Sequence, residues 1–137
     1  MLDKDRIIAK LAELDSYLDE LRQIAPSSYE DFQRIEKKRS CERLLQLSIE
    51  CVVDLCKLFV AQLRLGLPSE ENDLFKKLEK KGVISHGMGK TLRQMRGFRN
   101  ILIHEYAAVD DELVFDYVTK KLGDFKSFKN EVLGALE

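Results

Sequence analysis

Residues 41–63 read CERLLQLSIECVVDLCKLFVAQL, and this stretch decides the fold. Leu44, Leu45, Leu47, Ile49, Val52, Val53, Leu55, Cys56, Phe59, Val60 and Leu63 follow the three- and four-residue steps of an α-helix, not the two-residue step of a strand. The apolar arc is wide, which predicts a central helix covered by other elements on most of its circumference. Gly66 and Pro68 end it.

The flanking segments supply the cover. Ile7, Leu11, Leu14, Leu18, Leu21 and Ala25 form a narrower apolar stripe, predicting a first helix that stops before Pro26. Ser27 and Glu30 stand in capping-box relation and predict a short helix carrying Phe32 and Ile35. Beyond Pro68, Ser69 is placed to cap a helix with Glu70 and Glu71 in its first turn, closing at Gly82. Ser85 opens a further helix running to about Tyr106. Asp110 is placed to cap a last one bearing Val114, Val118, Leu122, Phe125, Val132 and Leu136. No strand-like alternation or internal repeat occurs. The expectation is one all-α domain over residues 1–137, an antiparallel bundle of about five helices.

Composition agrees with a globular chain. Of 137 residues, 45% are hydrophobic and 34% charged, and this length suffices to bury a core without staples. Cys41, Cys51 and Cys56 are odd in number and lack paired short spacing, which predicts reduced, partly buried thiols and no zinc site. Met1–Lys10 carries five charges and no apolar block, so no signal peptide is expected. No apolar run reaches bilayer-spanning length, and the expected location is the cytoplasm.

A formal net charge of −1 gives no global attraction to nucleic acid. Locally the balance differs. Between Phe75 and Asn100 stand Lys76, Lys77, Lys80, Lys81, Lys90, Arg93, Arg96 and Arg99, against Glu79 alone as an acid. Such a run is either a solvated helix surface or a polyanion-binding face. On a helix, Lys90, Arg93, Asn100 and His104 fall within an arc of roughly 80°, with Arg96 just beside it. Asn100 and His104 are four residues apart, so the amide can orient the imidazole. His86, in a glycine-rich helix start, has no obvious partner in the sequence.

Arg99 lies about 140° from His104, among Leu92, Met95, Ile103 and Tyr106. An arginine in an apolar stripe needs a counter-ion or an interface. A two-fold homodimer packed along this helix would bring the motifs of two copies together. Histidine can move protons near neutrality, and arginine can stabilise charge on a phosphoryl group. RNA carries its own nucleophile in the 2′-hydroxyl. An Arg–His pair can therefore cleave it through a 2′,3′-cyclic phosphate without a metal or other cofactor. No carboxylate cluster suggests a two-metal site. The same residues could instead be a polar network tying helices together.

The string Arg99-Asn100-x3-His104-x-Tyr106, at the end of the penultimate predicted helix, resembles the HEPN superfamily and within it the HepT-like toxins. Phe98 before the motif, the Arg43-Leu44-x2-Leu47-x2-Glu50 stretch and the helix order are similar too, so the resemblance covers nearly the whole chain. It implies a metal-independent ribonuclease site at a homodimer interface, with Arg99 and His104 catalytic and Asn100 assisting. It also implies a partner antitoxin, a minimal nucleotidyltransferase that inactivates the toxin by transferring AMP to Tyr106. Without that implication, a tyrosine at a helix end simply packs its ring and exposes its hydroxyl. Lys90, Arg93 and Arg96 are expected to hold RNA through phosphate contacts. Two other readings stay open: a non-catalytic nucleotide- or protein-binding partner of such a nucleotidyltransferase, and a structural dimerisation module.

Overall fold

The computed structural model describes residues 2–137, and these form helices and connections with no strand among them. In chain order the elements are α1 (Lys4–Gln23), α2 (Tyr29–Phe32), α3 (Ile35–Gln62), α4 (Glu71–Lys81), α5 (His86–His104), a 3-10 turn (Tyr106–Ala108), α6 (Asp111–Lys120) and α7 (Leu122–Gly134). The 28 residues of α3 make it the spine. Helices α1, α2, α4, α5 and α6 each pack against it, and α7 rests on α5 and α6. Its buried residues include Leu45, Ile49, Val52, Val53, Leu55, Cys56, Phe59 and Val60, as the wide apolar arc requires. Helix α1 lays Ile7, Leu11, Leu14, Leu18 and Leu21 into the same core.

Helix ends follow local chemistry. Ser85 accepts a hydrogen bond from the Met88 N–H, and Asp110 accepts from the Glu112 and Leu113 N–H groups, as their sequence positions imply. The other ends differ from expectation. Helix α1 ends at Gln23, which leaves Ala25 exposed. Ser28, not Ser27, caps α2, while the Asp31 carboxylate accepts from the Ser27 N–H, so the reciprocal capping pair is shifted by one residue. Ile35 begins α3 and stays exposed. Ser69 does not cap α4; its N–H donates to Asp73 Oδ2, and the unassisted cap position is Glu70.

The last expected helix is two. At Lys121 the backbone leaves helical geometry (φ −109°, ψ 4°), and α7 starts in a new direction. Its Phe125, Phe128 and Val132 are thereby buried, while Tyr117 stacks on Phe98 with ring centroids 4.4 Å apart. The apolar period runs through the break without interruption, so tertiary packing makes the turn. Helix α5 likewise stops at His104, and Tyr106 lies in the 3-10 turn beyond it. The three cysteines are free and buried outright. Among the described residues no helix is long and apolar enough to cross a membrane.

Candidate functional site

Helix α5 carries the motif, and α4 lies against it after a tight turn closed by Gly82 in the left-handed conformation (φ 82°). Antiparallel packing brings the first turn of α4 beside the second half of α5. The result is a ladder of ion pairs. Arg99 donates to Glu71 from its Nη2 and to Asn100 Oδ1 from its Nε at 3.0 Å. Arg96 donates from Nε to the same Glu71 oxygen at 3.1 Å. One turn farther back, Arg93 donates to Glu79 Oε1 at 3.1 Å, and His86 Nδ1 lies 3.5 Å from Glu79 Oε2. Gly89 permits this contact, because a Cβ there would collide with the Glu79 carboxylate.

Arg99 is 9% exposed, and its charge is met inside its own chain. The counter-ion that the apolar stripe demands is Glu71, so the burial of Arg99 does not by itself require a second copy. Burial works against the charge on Glu71, but hydrogen bonds from Arg96 and Arg99 outweigh it and hold the carboxyl below its ordinary range. The run from Phe75 to Asn100, so basic in sequence, is thus partly neutralised by acids of α4. His86, which looked partnerless, shares one of them.

His104, at the last residue of α5, is exposed, and its imidazole makes no hydrogen bond among the described residues. Lys90 is likewise exposed and has no ion-pair partner among the described residues. Arg99 and Asn100 are therefore bound together, Arg96 joins them through Glu71, and the His104 side chain is bonded to none of the three within one chain. Among the described residues no group of three or more His, Cys, Asp or Glu is placed to hold a metal.

Tyr106 turns the other way, back onto α3. Its hydroxyl donates to Glu42 Oε1 at 2.8 Å, and the same oxygen accepts from Arg39 Nη1 at 3.1 Å. The Arg39 guanidinium also lies over the Tyr106 ring, 5.0 Å from its centroid. Burial and the Glu42 carboxylate push the phenol above its ordinary pKa. Glu42 is 6% exposed, although the Tyr106 ring remains open to solvent.

Glu71, Glu42 and Arg39 are the residues that sequence reasoning missed. Glu42 sits three residues before Leu45 and seven before Ile49, on the buried arc of α3, and an acid there signals a partner. Glu71 reads in sequence only as an acid favoured by the helix dipole.

Comparison with known proteins places the chain in a family. The family profile described as "Ribonuclease HepT-like" matches residues 14–132. The chain is 27% identical over 124 residues to the mRNA nuclease HepT of Shewanella oneidensis, covering 90% of this chain and 93% of that protein. It is 26% identical over 127 residues to the tRNA nuclease HepT of Aphanizomenon flos-aquae, covering 92% and 86% respectively. Its fold superposes with a TM-score of 0.88, at 26% identity, on the tri-AMPylated Shewanella oneidensis HEPN toxin solved in complex with MNT antitoxin, covering 98% of this chain and 99% of that one. A match over so much of the chain, on the same helical frame, means that the protein belongs to the ribonuclease HepT-like family of the HEPN superfamily.

Proposed function

We propose that this protein is the ribonuclease toxin of a toxin–antitoxin pair, acting as a homodimer and cutting RNA without a metal. The observation that carries the reading is the contrast between Arg99 and His104. The guanidinium of Arg99 is fixed by Asn100 and Glu71, whereas the imidazole of His104 is exposed and unengaged. A fixed cation suits stabilisation of a phosphoryl group, because no reorganisation is needed as charge develops. A free imidazole near the surface suits proton transfer.

In this mechanism the 2′-hydroxyl of RNA attacks the adjacent phosphorus, its proton passing to a His104 imidazole. The 5′-oxygen leaves and takes a proton, and a 2′,3′-cyclic phosphate remains. Arg99 neutralises charge on the non-bridging oxygens, while Asn100 holds the Arg99 Nε and so its orientation. Lys90, Arg93 and Arg96 grip neighbouring phosphates. Because Arg99 and His104 leave α5 about 140° apart, a second copy completes the site most directly. Ile103, a large apolar residue beside His104, is 39% exposed and suits such an interface. Relatives whose names or complexes involve an antitoxin and AMPylation support the further proposal that a minimal nucleotidyltransferase transfers AMP to the Tyr106 hydroxyl and so silences the toxin. The added bulk and negative charge would repel RNA.

The test is RNA cleavage in EDTA by purified protein whose intact mass excludes prior modification, beside Arg99→Ala and His104→Ala, with sedimentation to fix the assembly. Cleavage leaving cyclic phosphate ends, lost in both variants, is the expected result. Unmodified protein that cuts no RNA class would move the assignment to a non-catalytic, nucleotide-binding partner of the nucleotidyltransferase.

A further inference from the structure

We infer that Glu42, Arg39 and Arg43 on α3 form an acceptor site that prepares the Tyr106 hydroxyl for nucleotidyl transfer and then holds the transferred nucleoside phosphate. The inference rests on the reading of Tyr106 as the modified residue and adds the groups on this chain that serve the step. Tyr106 is not simply displayed at a helix end. Its hydroxyl is aimed at a carboxylate 2.8 Å away that is itself almost entirely buried. Arg39 fixes the pair from above, bound to the same carboxylate oxygen and lying against the ring.

Two clefts meet here. One, of about 340 Å³, is lined by Glu42, Gln46, Leu102 and Tyr106; the other, of about 570 Å³, is lined by Glu20, Gln23, Ile24 and Leu44. Arg39 and Arg43 line both and form the ridge between them. Arg43 is exposed and has no hydrogen-bond or ion-pair partner among the described residues. A guanidinium left open between two clefts, beside a tyrosyl oxygen, offers bidentate recognition to a phosphate attached to that oxygen. The apolar stretch of Ile24 and Leu44 beyond it suits the nucleoside.

The chemistry balances as follows. The phenolic oxygen attacks the α-phosphorus of a nucleoside triphosphate delivered by the nucleotidyltransferase. The bond from that phosphorus to the β-phosphate oxygen breaks, and pyrophosphate departs. The phenolic proton passes to Glu42 Oε1, to which it is already hydrogen-bonded. Burial and the Glu42 charge keep the phenol protonated at neutral pH, so a proton acceptor in contact matters to the rate.

Glu42→Gln separates this role from a structural one, because the amide oxygen still accepts the tyrosyl hydrogen bond but is not a base. The full chain, freed of modification, is incubated with the minimal nucleotidyltransferase of its own genome, Mg²⁺ and ATP labelled at the α-phosphate. The parent should take label at Tyr106, and E42Q should take it roughly 10²-fold more slowly and with a pH profile unlike the parent's. Arg43→Ala should raise the ATP concentration for half-maximal rate about tenfold. Equal rates and pH profiles for E42Q and parent would reduce Glu42 to a structural link and overturn its role as base. An unaltered Arg43→Ala would overturn the phosphate site. Label absent from the parent, or persisting in Tyr106→Phe, would sink the underlying reading of Tyr106 and this site with it. Thermal unfolding of each variant accompanies the rates; if E42Q fails to fold, the exposed Arg43 carries the test.

Discussion

Arg99 on α5 and Glu71 on α4, 28 residues apart in sequence, are bound to one another, and Glu71 holds Arg96 through the same oxygen. One carboxylate thus sets the position of two guanidinium groups on the face proposed to meet RNA.

Replacing Glu71 should cost both stability and cleavage. Glu71→Ala leaves Arg99 buried without its counter-ion and should destabilise the protein by about 1–3 kcal/mol in urea unfolding. The pH dependence carries the sign. The folded-state pKa of Glu71 lies below its ordinary 4.5, so its contribution is complete above that value and is lost as pH falls through the folded pKa. Acid unfolding of the parent should therefore include a loss of stability below about pH 4.5 that Glu71→Gln lacks. Identical acid limbs in the two proteins would contradict the pairing.

Arg99 and His104 should separate when stability and activity are measured together. His104→Ala, at an exposed residue without a hydrogen bond, should leave stability within about 0.5 kcal/mol of the parent. Cleavage should nevertheless drop by roughly 10²-fold or more. Arg99→Ala should lose comparable activity and also about 1–3 kcal/mol, because Glu71 keeps its desolvation and loses a partner. A His104→Ala protein that melts early yet had no activity to lose would mark the motif as an interface network.

RNA affinity should depend unequally on the basic residues. Lys90 is free, while Arg93 is already answered by Glu79. Lys90→Ala should lower the slope of log affinity against log salt by roughly 0.7, the value for one phosphate on a single strand. Arg93→Ala should change it less, and Glu79→Gln should strengthen binding by releasing Arg93. Equal slopes for the two cation variants would mean that the Glu79 pair dissolves when RNA binds.

The thiols should be silent in the folded protein. Burial pushes Cys41 up to about 11 and Cys51 up to about 12, and Cys56 is raised further. Alkylation at neutral pH should proceed only as fast as the chain opens, with all three reacting together on unfolding. Rapid labelling of any one would place that part of α3 outside the cooperative core.

The helical frame was legible because buried faces repeat: the arc of α3 and the stripe of α1 are periodic patterns that solvent imposes on sequence. The ends were less so. The Lys121 break leaves no mark in periodicity, since it comes from Tyr117 settling on Phe98 and α7 turning back to the core. The site divides in the same way. Arg99, Asn100, His104 and Tyr106 lie within eight residues and read as one string. Glu71 and Glu42 reach that string only across helix interfaces, and pairing across an interface is a fact of tertiary structure that spacing along one helix does not encode.

The dominance of α3 has a kinetic side. Five of the other six helices lean on it, so no outer element has an independent core to survive on if the spine melts. Amide protons in the middle of α3 should then exchange only through whole-molecule opening, on the slowest clock in the protein. The segment from Glu105 through the 3-10 turn is fastened back to the spine by the Tyr106–Glu42 bond and by the Arg39 guanidinium over the Tyr106 ring, and it should open before the spine does. Glu42 is thus anchored on the central helix and Tyr106 on a short turn outside the long helices. A chemical change at the tyrosine should therefore be accommodated without disturbing the body of the protein.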